Sequence, residues 1–445
     1  MIKNITFWSI TVALSGFLLG FDTVVVSGME QTLQRVWNTS DIFHGLVVIS
    51  PALWGMVFGA MFGSIPVNRI GRKHTLILIG IVFIIAALGA SLCNSPYIFA
   101  LFRFAGGLAI GMSTIAAPAY VAEIAPPESR GRLVALYQIN IVLGILVAYI
   151  SNYLLMDSGP NAWRYMLGIQ VIPAFLFLLL VLGVPFSPRW LLMTGRYEEA
   201  MSVLNRLYPE GNFEDILERI NREENLNAPK GENIFNKKFR KPLIYTFLIA
   251  FFNQMSGINA VLYFAPRIFK AAGLADDYAY LSTIGVGQIN LVFTVVGLSL
   301  IDMLGRKPLM YWGSIGYICS LSMVAAAFYF DWGPSTVPAF IFLFIAAHAF
   351  GQGAVIWVFI AEIFPNHLRG AGQSFGSSVH WILAALIPAS LPGLFGSVGP
   401  ALVFAFFAFM MVLQLIFVHF MMPETKGETL EKLSEEISGK QMENI

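Results

Sequence analysis

The chain has 445 residues, of which 57% are hydrophobic and only 12% charged, with a mean hydropathy of +0.71 and a formal net charge of +1. That little polar surface cannot cover a folded chain of this size in water, so lipid is expected to be its main solvent. The net charge implies neither a basic nucleic-acid face nor a large acidic one, and the two cysteines, Cys93 and Cys319, lacking partners at metal or disulfide spacing, read as packing residues.

Apolar runs of about 20 residues, the length that crosses roughly 30 Å of hydrocarbon, recur about twelve times along the chain. They fall at approximately 5–28, 45–67, 75–93, 97–121, 133–153, 166–184, 243–264, 281–301, 309–330, 337–360, 373–391 and 402–422. The first lacks the basic start, short apolar core and small-residue cut site of a cleaved signal, so it is expected to be a retained helix. Lysine and arginine segregate by side. One side collects Lys3, Arg69, Arg72, Lys73, Arg130, Arg132, the stretch 189–241, Arg306, Lys307, Arg369 and Lys426; the other has only Arg35, Arg164, Arg267 and Lys270. The positive-inside rule then places both termini in the cytoplasm. The polar stretch 189–241 carries helix-spaced apolar residues at Ala200, Val203, Leu204 and Leu207, which predicts short amphipathic helices linking two halves. The expected organisation is all-α: a six-helix bundle over 1–188, a cytoplasmic linker over 189–241, a second bundle over 242–422, and a short tail of mixed charge over 423–445, lying on the surface or disordered.

The halves repeat each other. Asn68-Arg69-Ile70-Gly71-Arg72-Lys73, then Ala122-Glu123-Ile124-Ala125-Pro126 leading to Arg130-Gly131, is matched by Asp302-Met303-Leu304-Gly305-Arg306-Lys307, then Ala361-Glu362-Ile363-Phe364-Pro365 leading to Arg369-Gly370. The offsets nearly agree, 302 − 68 = 234 and 361 − 122 = 239. A membrane chain that repeats its loops at half its length reads as two copies of one bundle with a cavity where the copies face, which is a transporter's layout. The Gly-Arg-Lys turns place cations at helix ends, where they can meet terminal carbonyls and pair with Glu123 or Glu362 of the neighbouring repeat. Arg69, Arg72, Glu123, Arg130, Arg306, Glu362 and Arg369 are therefore candidates for a cytoplasmic gate; each arginine alone also reads as an ordinary positive-inside anchor.

Inside the spans, Asp22 in Gly20-Phe21-Asp22-Thr23 and Arg103 in Phe102-Arg103-Phe104 each lie about six residues from the outer end of a run, a depth of roughly 9 Å, so the two can pair. A carboxylate held ionised by a guanidinium and protonated when that contact opens would couple proton entry to a change of shape; a static pair that only fixes packing is the alternative. Five amides, Gln138, Asn253, Gln254, Asn259 and Asn290, offer the mixed donors and acceptors that sugar hydroxyls need, and their burial cost points them inward. Gln254 and Asn259 lie about 140° apart on a straight helix, but the intervening Ser256-Gly257 is suited to breaking it and bringing both to one ligand. Trp357 and Trp381 offer flat apolar faces for a sugar ring, and His348 reads as a neutral packed histidine.

The phrases Asn68-Arg69-Ile70-Gly71-Arg72-Lys73, Pro185-Phe186-Ser187-Pro188-Arg189-Trp190, Gln254-Met255-Ser256-Gly257-Ile258-Asn259 and Pro423-Glu424-Thr425-Lys426-Gly427 closely resemble signatures of the sugar porter branch of the major facilitator superfamily, and most of all its bacterial proton-coupled symporters of the xylose type. The resemblance spans nearly the whole chain. It implies the major facilitator fold, a proton site at Asp22 beside Arg103, and sugar contacts at Gln138, Gln254, Asn259, Asn290, Trp357 and Trp381. The chain departs from the pattern at several places. Gln170 stands where the xylose relatives carry a glutamate, Asn253 replaces the first of two glutamines, and His380 replaces a glutamine before Trp381. Gly353-Ala354 replaces a Gly-Pro pair, and Phe186 replaces the acid of Pro-Glu-Ser-Pro-Arg, which is expected to weaken one cytoplasmic ion pair. The expectation is proton-coupled import of a monosaccharide by a monomer in a bacterial inner membrane, with no cofactor, metal or nucleic acid. A facilitative carrier and a membrane sugar sensor share the same body, while no acidic pair, metal cluster or activated nucleophile supports an enzyme.

Overall fold

A computed structural model of the chain describes residues 2–126, 130–207, 233–365 and 368–427. The described residues are helical throughout their ordered elements, with no strand, and 12 helical stretches are long and apolar enough to cross a membrane. The chain divides into two compact units, Met1–Leu226 and Asn227–Ile445. Six spans fall in the first: Ile5–Gly28, Asp41–Arg69, Arg72–Leu92, Pro96–Ile124, Gly131–Leu155 and Ala162–Leu182. The second holds Lys237–Ala271, Asp276–Leu304, Arg306–Phe330, Thr336–Glu362, Arg369–Ser397 and Pro400–Phe420.

Several spans overrun the apolar runs that mark them, because a helix continues as long as its backbone bonds do, whatever the side chains. The seventh is 35 residues long and the eighth begins at Asp276-Asp277, whose carboxylates sit favourably at a helix N-terminus. After the sixth span, still within the first unit, helices Pro188–Met193 and Tyr197–Leu207 form. The second buries Ala200, Leu204 and Leu207, and Ala200 packs on Trp190 and Leu191 with Phe186, Leu192 and Val203 around them. The rest of the expected linker, 208–232, and the tail from 428 onward lie outside the described residues. One packing expectation fails: Cys93 is buried, but Cys319 is exposed on the outside of the ninth span, where its small apolar side chain needs no protein partner.

The two Gly-Arg-Lys turns have the same backbone. Gly71 has φ 90 and ψ 159, and Gly305 has φ 94 and ψ 172, a region open essentially to glycine alone, so the repeated glycine is a conformational requirement in both halves. The halves differ in their long spans. In the first unit, helix Pro96–Ile124 runs through Pro118 unbroken. In the second, the seventh span divides at Gly257, which is left-handed at φ 80, and the tenth divides at Gly351, with φ −90 and ψ −95. The seventh also bends at Phe264, ahead of Pro266, whose ring removes a backbone donor.

Within the first unit, the first span packs most closely on the fifth and the second on the fourth. Small residues make this possible, as expected where dispersion and close backbone approach replace the hydrophobic effect between helices. A Cβ at Gly20 would come within 1.8 Å of the Ile141 carbonyl oxygen, and one at Gly107 within 1.9 Å of that of Ala52. Both glycines sit within one turn or so of Asp22 and Arg103, so the same contacts that seat the helices fix those two charges. Replacing Gly20 by Val must push the first and fifth spans apart; the expected cost is about 1–3 kcal/mol or more, read as a lowered Tm of the purified protein in detergent.

Candidate functional site

Asp22, 2% exposed, and Arg103, 4% exposed, form an ion pair inside the first unit. Arg103 Nη1 donates to Asp22 Oδ1 and Nη2 donates to the Asp22 carbonyl at 3.4 Å. A lone charge at either place would be prohibitively costly in an apolar bundle, so each residue explains the other. Gln170 is buried on the same side of the unit, donating from Nε2 to the Leu167 carbonyl at 3.1 Å. Gln138 is half-buried on helix Arg130–Leu155, one position from the buried Tyr137, whose hydroxyl lies 3.2 Å from Ser113 Oγ.

In the second unit, the break in the seventh span organises a neutral cluster. Ser256 Oγ donates to the Asn253 carbonyl at 2.6 Å and accepts from the Ile258 N–H at 3.3 Å, satisfying backbone groups that the broken helix releases. Across the break, Asn259 Nδ2 donates to Gln254 Oε1 at 2.9 Å, so the two amides that a straight helix would separate do meet. Gln254 Nε2 donates to Asn253 Oδ1 at 3.1 Å and lies 3.1 and 3.2 Å from the two ring nitrogens of His380. His380 stands between two tryptophans, its ring centroid 5.1 Å from that of Trp357 and 5.0 Å from that of Trp381, both edge to face. Asn253, Gln254, Asn259, His380, Trp357 and Trp381 thus form one constellation of amides walled by indoles. Asn290 stands apart from its hydrogen bonds, buried in the eighth span with its Oδ1 accepting from Thr294 Oγ1 at 3.4 Å.

Behind this constellation lies a polar network that the sequence reading passed over. Asn253 Nδ2 donates to Gln352 Oε1 at 3.2 Å, and Gln352 Nε2 in turn donates to Gln414 Oε1. Gln414 Nε2 donates to Ser314 Oγ at 2.8 Å, while the Tyr317 hydroxyl reaches Gln352 Oε1 at 3.3 Å and His348 Nδ1 at 2.5 Å. His348 is thus packed, as expected, but packed into hydrogen bonds. Gln352 follows the break at Gly351, and a buried glutamine beside a helix-breaking glycine in an apolar run was the available signal.

At the arginine-rich turns the two units repeat the same residue-level arrangement. Arg72 donates from Nε and Nη2 to Glu123 Oε1 at 3.1 and 2.7 Å and from Nη1 to the Val67 carbonyl at 3.3 Å. Arg306 donates from Nε and Nη2 to the two oxygens of Glu362 at 3.0 and 2.7 Å and from Nη1 to the Ile301 carbonyl at 3.1 Å. Each glutamate also accepts from a hydroxyl, that of Ser187 at 2.5 Å and that of Thr425 at 2.6 Å. Each arginine therefore pairs with the acid of its own half, correcting the expectation of pairing with the neighbouring repeat. The hydroxyls were missed, although 425 − 187 = 238 falls in line with the other repeat offsets. Of the remaining gate candidates, Arg69 is exposed with no ion-pair partner among the described residues, Arg369 is half-buried in the first turn of helix Arg369–Ser397, and the side chain of Arg130 lies outside the described residues.

The residue before each hydroxyl differs between the halves. Glu424 accepts from the N–H groups of Arg306 and Lys307 at 2.9 and 3.0 Å, capping helix Arg306–Phe330. Its counterpart is Phe186, which cannot accept. Its ring instead stacks on Trp190 and packs at 5.1 Å from His74, with Lys73 Nζ 5.0 Å and the Arg196 guanidinium 5.4 Å from its centroid. The loss of the acid thus exchanges a helix cap for a cation–π contact.

A buried ion pair within otherwise apolar spans, neutral amides at broken helices, and duplicated ionic turns define a polytopic transporter. The chain belongs to the family described as Sugar (and other) transporter, whose model matches residues 8–437. It is 34% identical over 433 residues to the arabinose-proton symporter of Bacillus subtilis, covering 96% of this chain and 93% of that one. It is 32% identical over 464 residues to the D-xylose-proton symporter of Escherichia coli, covering 96% and 94%. Its fold matches the inward-open xylose transporter XylE of E. coli with a TM-score of 0.86 at 30% identity, over 98% of this chain and all of that one.

The Glu424 cap makes a pH prediction. Partial burial pushes its carboxyl up, but the N–H groups of Arg306, Lys426, Lys307 and Thr425 outweigh burial and hold it below its ordinary value of 4.5. A carboxyl depressed on folding stabilises fully above its unfolded value, and that contribution is lost as pH falls through the folded value. Glu424→Gln should therefore lower the Tm at about pH 6 and match the parent increasingly closely toward about pH 3.

Proposed function

We propose that this protein imports a monosaccharide together with a proton by alternating access, as a monomer in the inner membrane of a bacterium with both termini in the cytoplasm. The observation that carries the reading is the Asp22–Arg103 pair, a titratable acid fully withdrawn from water and held by one guanidinium. Asp22 is ionised while Arg103 holds it and takes a proton when the contact loosens, so its charge reports and drives a change of shape. The relatives named as arabinose-proton and xylose-proton symporters support the pairing of sugar with proton. The concentration of lysine and arginine on the loops with Arg72 and Arg306 supports the orientation.

In this reading Gln254 is central to sugar binding because it joins Asn253, Asn259 and His380, and Gln138 and Asn290 are assigned as further sugar contacts. Trp357 and Trp381 take the C–H face of the ring. The Arg72–Glu123 and Arg306–Glu362 pairs, together with Arg69, Arg130 and Arg369, are assigned to a cytoplasmic gate that breaks and remakes as the transporter cycles.

Two substitutions test the two halves of the proposal. Asp22→Asn keeps the size but cannot titrate, so accumulation driven by an imposed pH gradient should vanish in proteoliposomes while counterflow of the same sugar persists. Continued uphill accumulation would show that Asp22 is not the coupling site, and loss of counterflow as well would give it a structural role. Gln254→Ala removes donors and acceptor together and should weaken binding by about 1–3 kcal/mol, roughly 5- to 150-fold in Kd, across D-xylose, L-arabinose and D-glucose. Unchanged affinity in a calorimetric titration would place the sugar elsewhere.

A further inference from the structure

Beside the ion pair, within the first unit, is a small cavity with about 10 Å³ of room for the centre of a water-sized sphere. Its walls are apolar except for three residues, Asp22, Arg103 and Gln170. Each of these is at most 4% exposed, and each has one polar atom without a protein partner: Asp22 Oδ2, Arg103 Nε and Gln170 Oε1. Three buried orphan groups around one cavity are unusual, since leaving each unmade costs on the order of 1–3 kcal/mol.

We propose that this cavity is a binding site for a single ordered water molecule that delivers the proton to Asp22. The volume is about that of one water, and two to four polar partners are what a buried water needs. The chemistry also matches in sign. Arg103 Nε–H is a donor, while Asp22 Oδ2 and Gln170 Oε1 are acceptors. One water satisfies all three, accepting from the guanidinium and donating its two hydrogens to the oxygens. A metal cation does not fit, because the guanidinium repels it at close range.

The site rests on the proton-coupling reading and gives it a route. Arg103 occupies Oδ1, so the proton enters at Oδ2, the oxygen left without a protein partner. The transfer is concerted: as an O–H bond of the water breaks and a carboxyl O–H forms on Asp22, an incoming proton forms a new O–H bond on the water, so neutral water remains and no cation rests beside the guanidinium. Gln170 cannot carry the proton, being an amide, and acts as a positioning residue: its Oε1 holds the water where Oδ2 can receive from it. The route needs no second carboxyl, and Gln170 has its orphan oxygen for this reason.

The test combines density and transport. A high-resolution structure of the purified protein should show one ordered water within hydrogen-bond distance of Asp22 Oδ2, Arg103 Nε and Gln170 Oε1; a cavity without density at a resolution that shows other buried waters overturns the site. Gln170→Leu, of similar volume but with no acceptor, should lose that density. It should also lower the ratio of pH-driven accumulation to counterflow by about five- to tenfold, the worth of one ordinary hydrogen bond. Gln170→Glu restores an acceptor and should recover the ratio with a shifted pH profile. A ratio unchanged in Gln170→Leu, or accumulation and counterflow falling together in both variants, overturns the positioning role. If the parent protein itself shows no pH-driven accumulation, proton coupling is wrong, and the water site is then judged by density alone.

Discussion

Hydrocarbon satisfies no hydrogen bond and stabilises no charge, and everything polar within these spans is arranged around that fact. Backbone groups are closed into helices. Where a helix opens, at Ser256-Gly257, a serine hydroxyl both donates to and accepts from the freed backbone. Side-chain amides are linked end to end, from Asn259 through Gln254 and Asn253 to Gln352, Gln414 and Ser314. The one acid buried in the first span brings its own arginine from the fourth. Polar residues are costly here, so each carries information about where a partner or a ligand belongs.

The architecture was largely legible in the sequence, because the length of an apolar run and the repetition of loop phrases are direct consequences of bilayer thickness and duplication. The break in the seventh span was legible for a similar reason: Gly257 and its serine neighbour have a narrow range of uses inside a membrane helix. What could not be read was partnership at a distance. Glu123 and Glu362 were visible as acids, but the choice of Arg72 and Arg306 within the same half depends on how each turn folds back on its own bundle. Gln414 is unremarkable in sequence and becomes meaningful only when paired with Gln352, 62 positions away. Cys319 showed the converse, since an apolar run does not say which of its faces meets lipid.

The duplicated turns show how strictly geometry has been kept where sequence has drifted. Two arginines reach the carbonyl five residues before them and a glutamate more than fifty residues ahead, and each glutamate receives a hydroxyl, from serine in one half and threonine in the other. The residue next to that hydroxyl is free to change, and Phe186 and Glu424 hold the same place by unrelated forces, one by ring faces toward cations and the other by backbone hydrogen bonds. A shared scaffold thus tolerates different chemistry at a position whose task is to hold a helix end.

Among the described residues, the spans broken at a glycine of non-helical conformation belong to the second unit, and with them comes the neutral cluster of amides and indoles, while the buried Asp22–Arg103 pair belongs to the first, whose long fourth helix runs unbroken. The two repeats thus differ in the chemistry they bury. Under the proposed function, cargo recognition is weighted to one repeat and energisation to the other, so substitutions such as those at Asn253 and His380 can alter the sugar and leave the driving machinery intact.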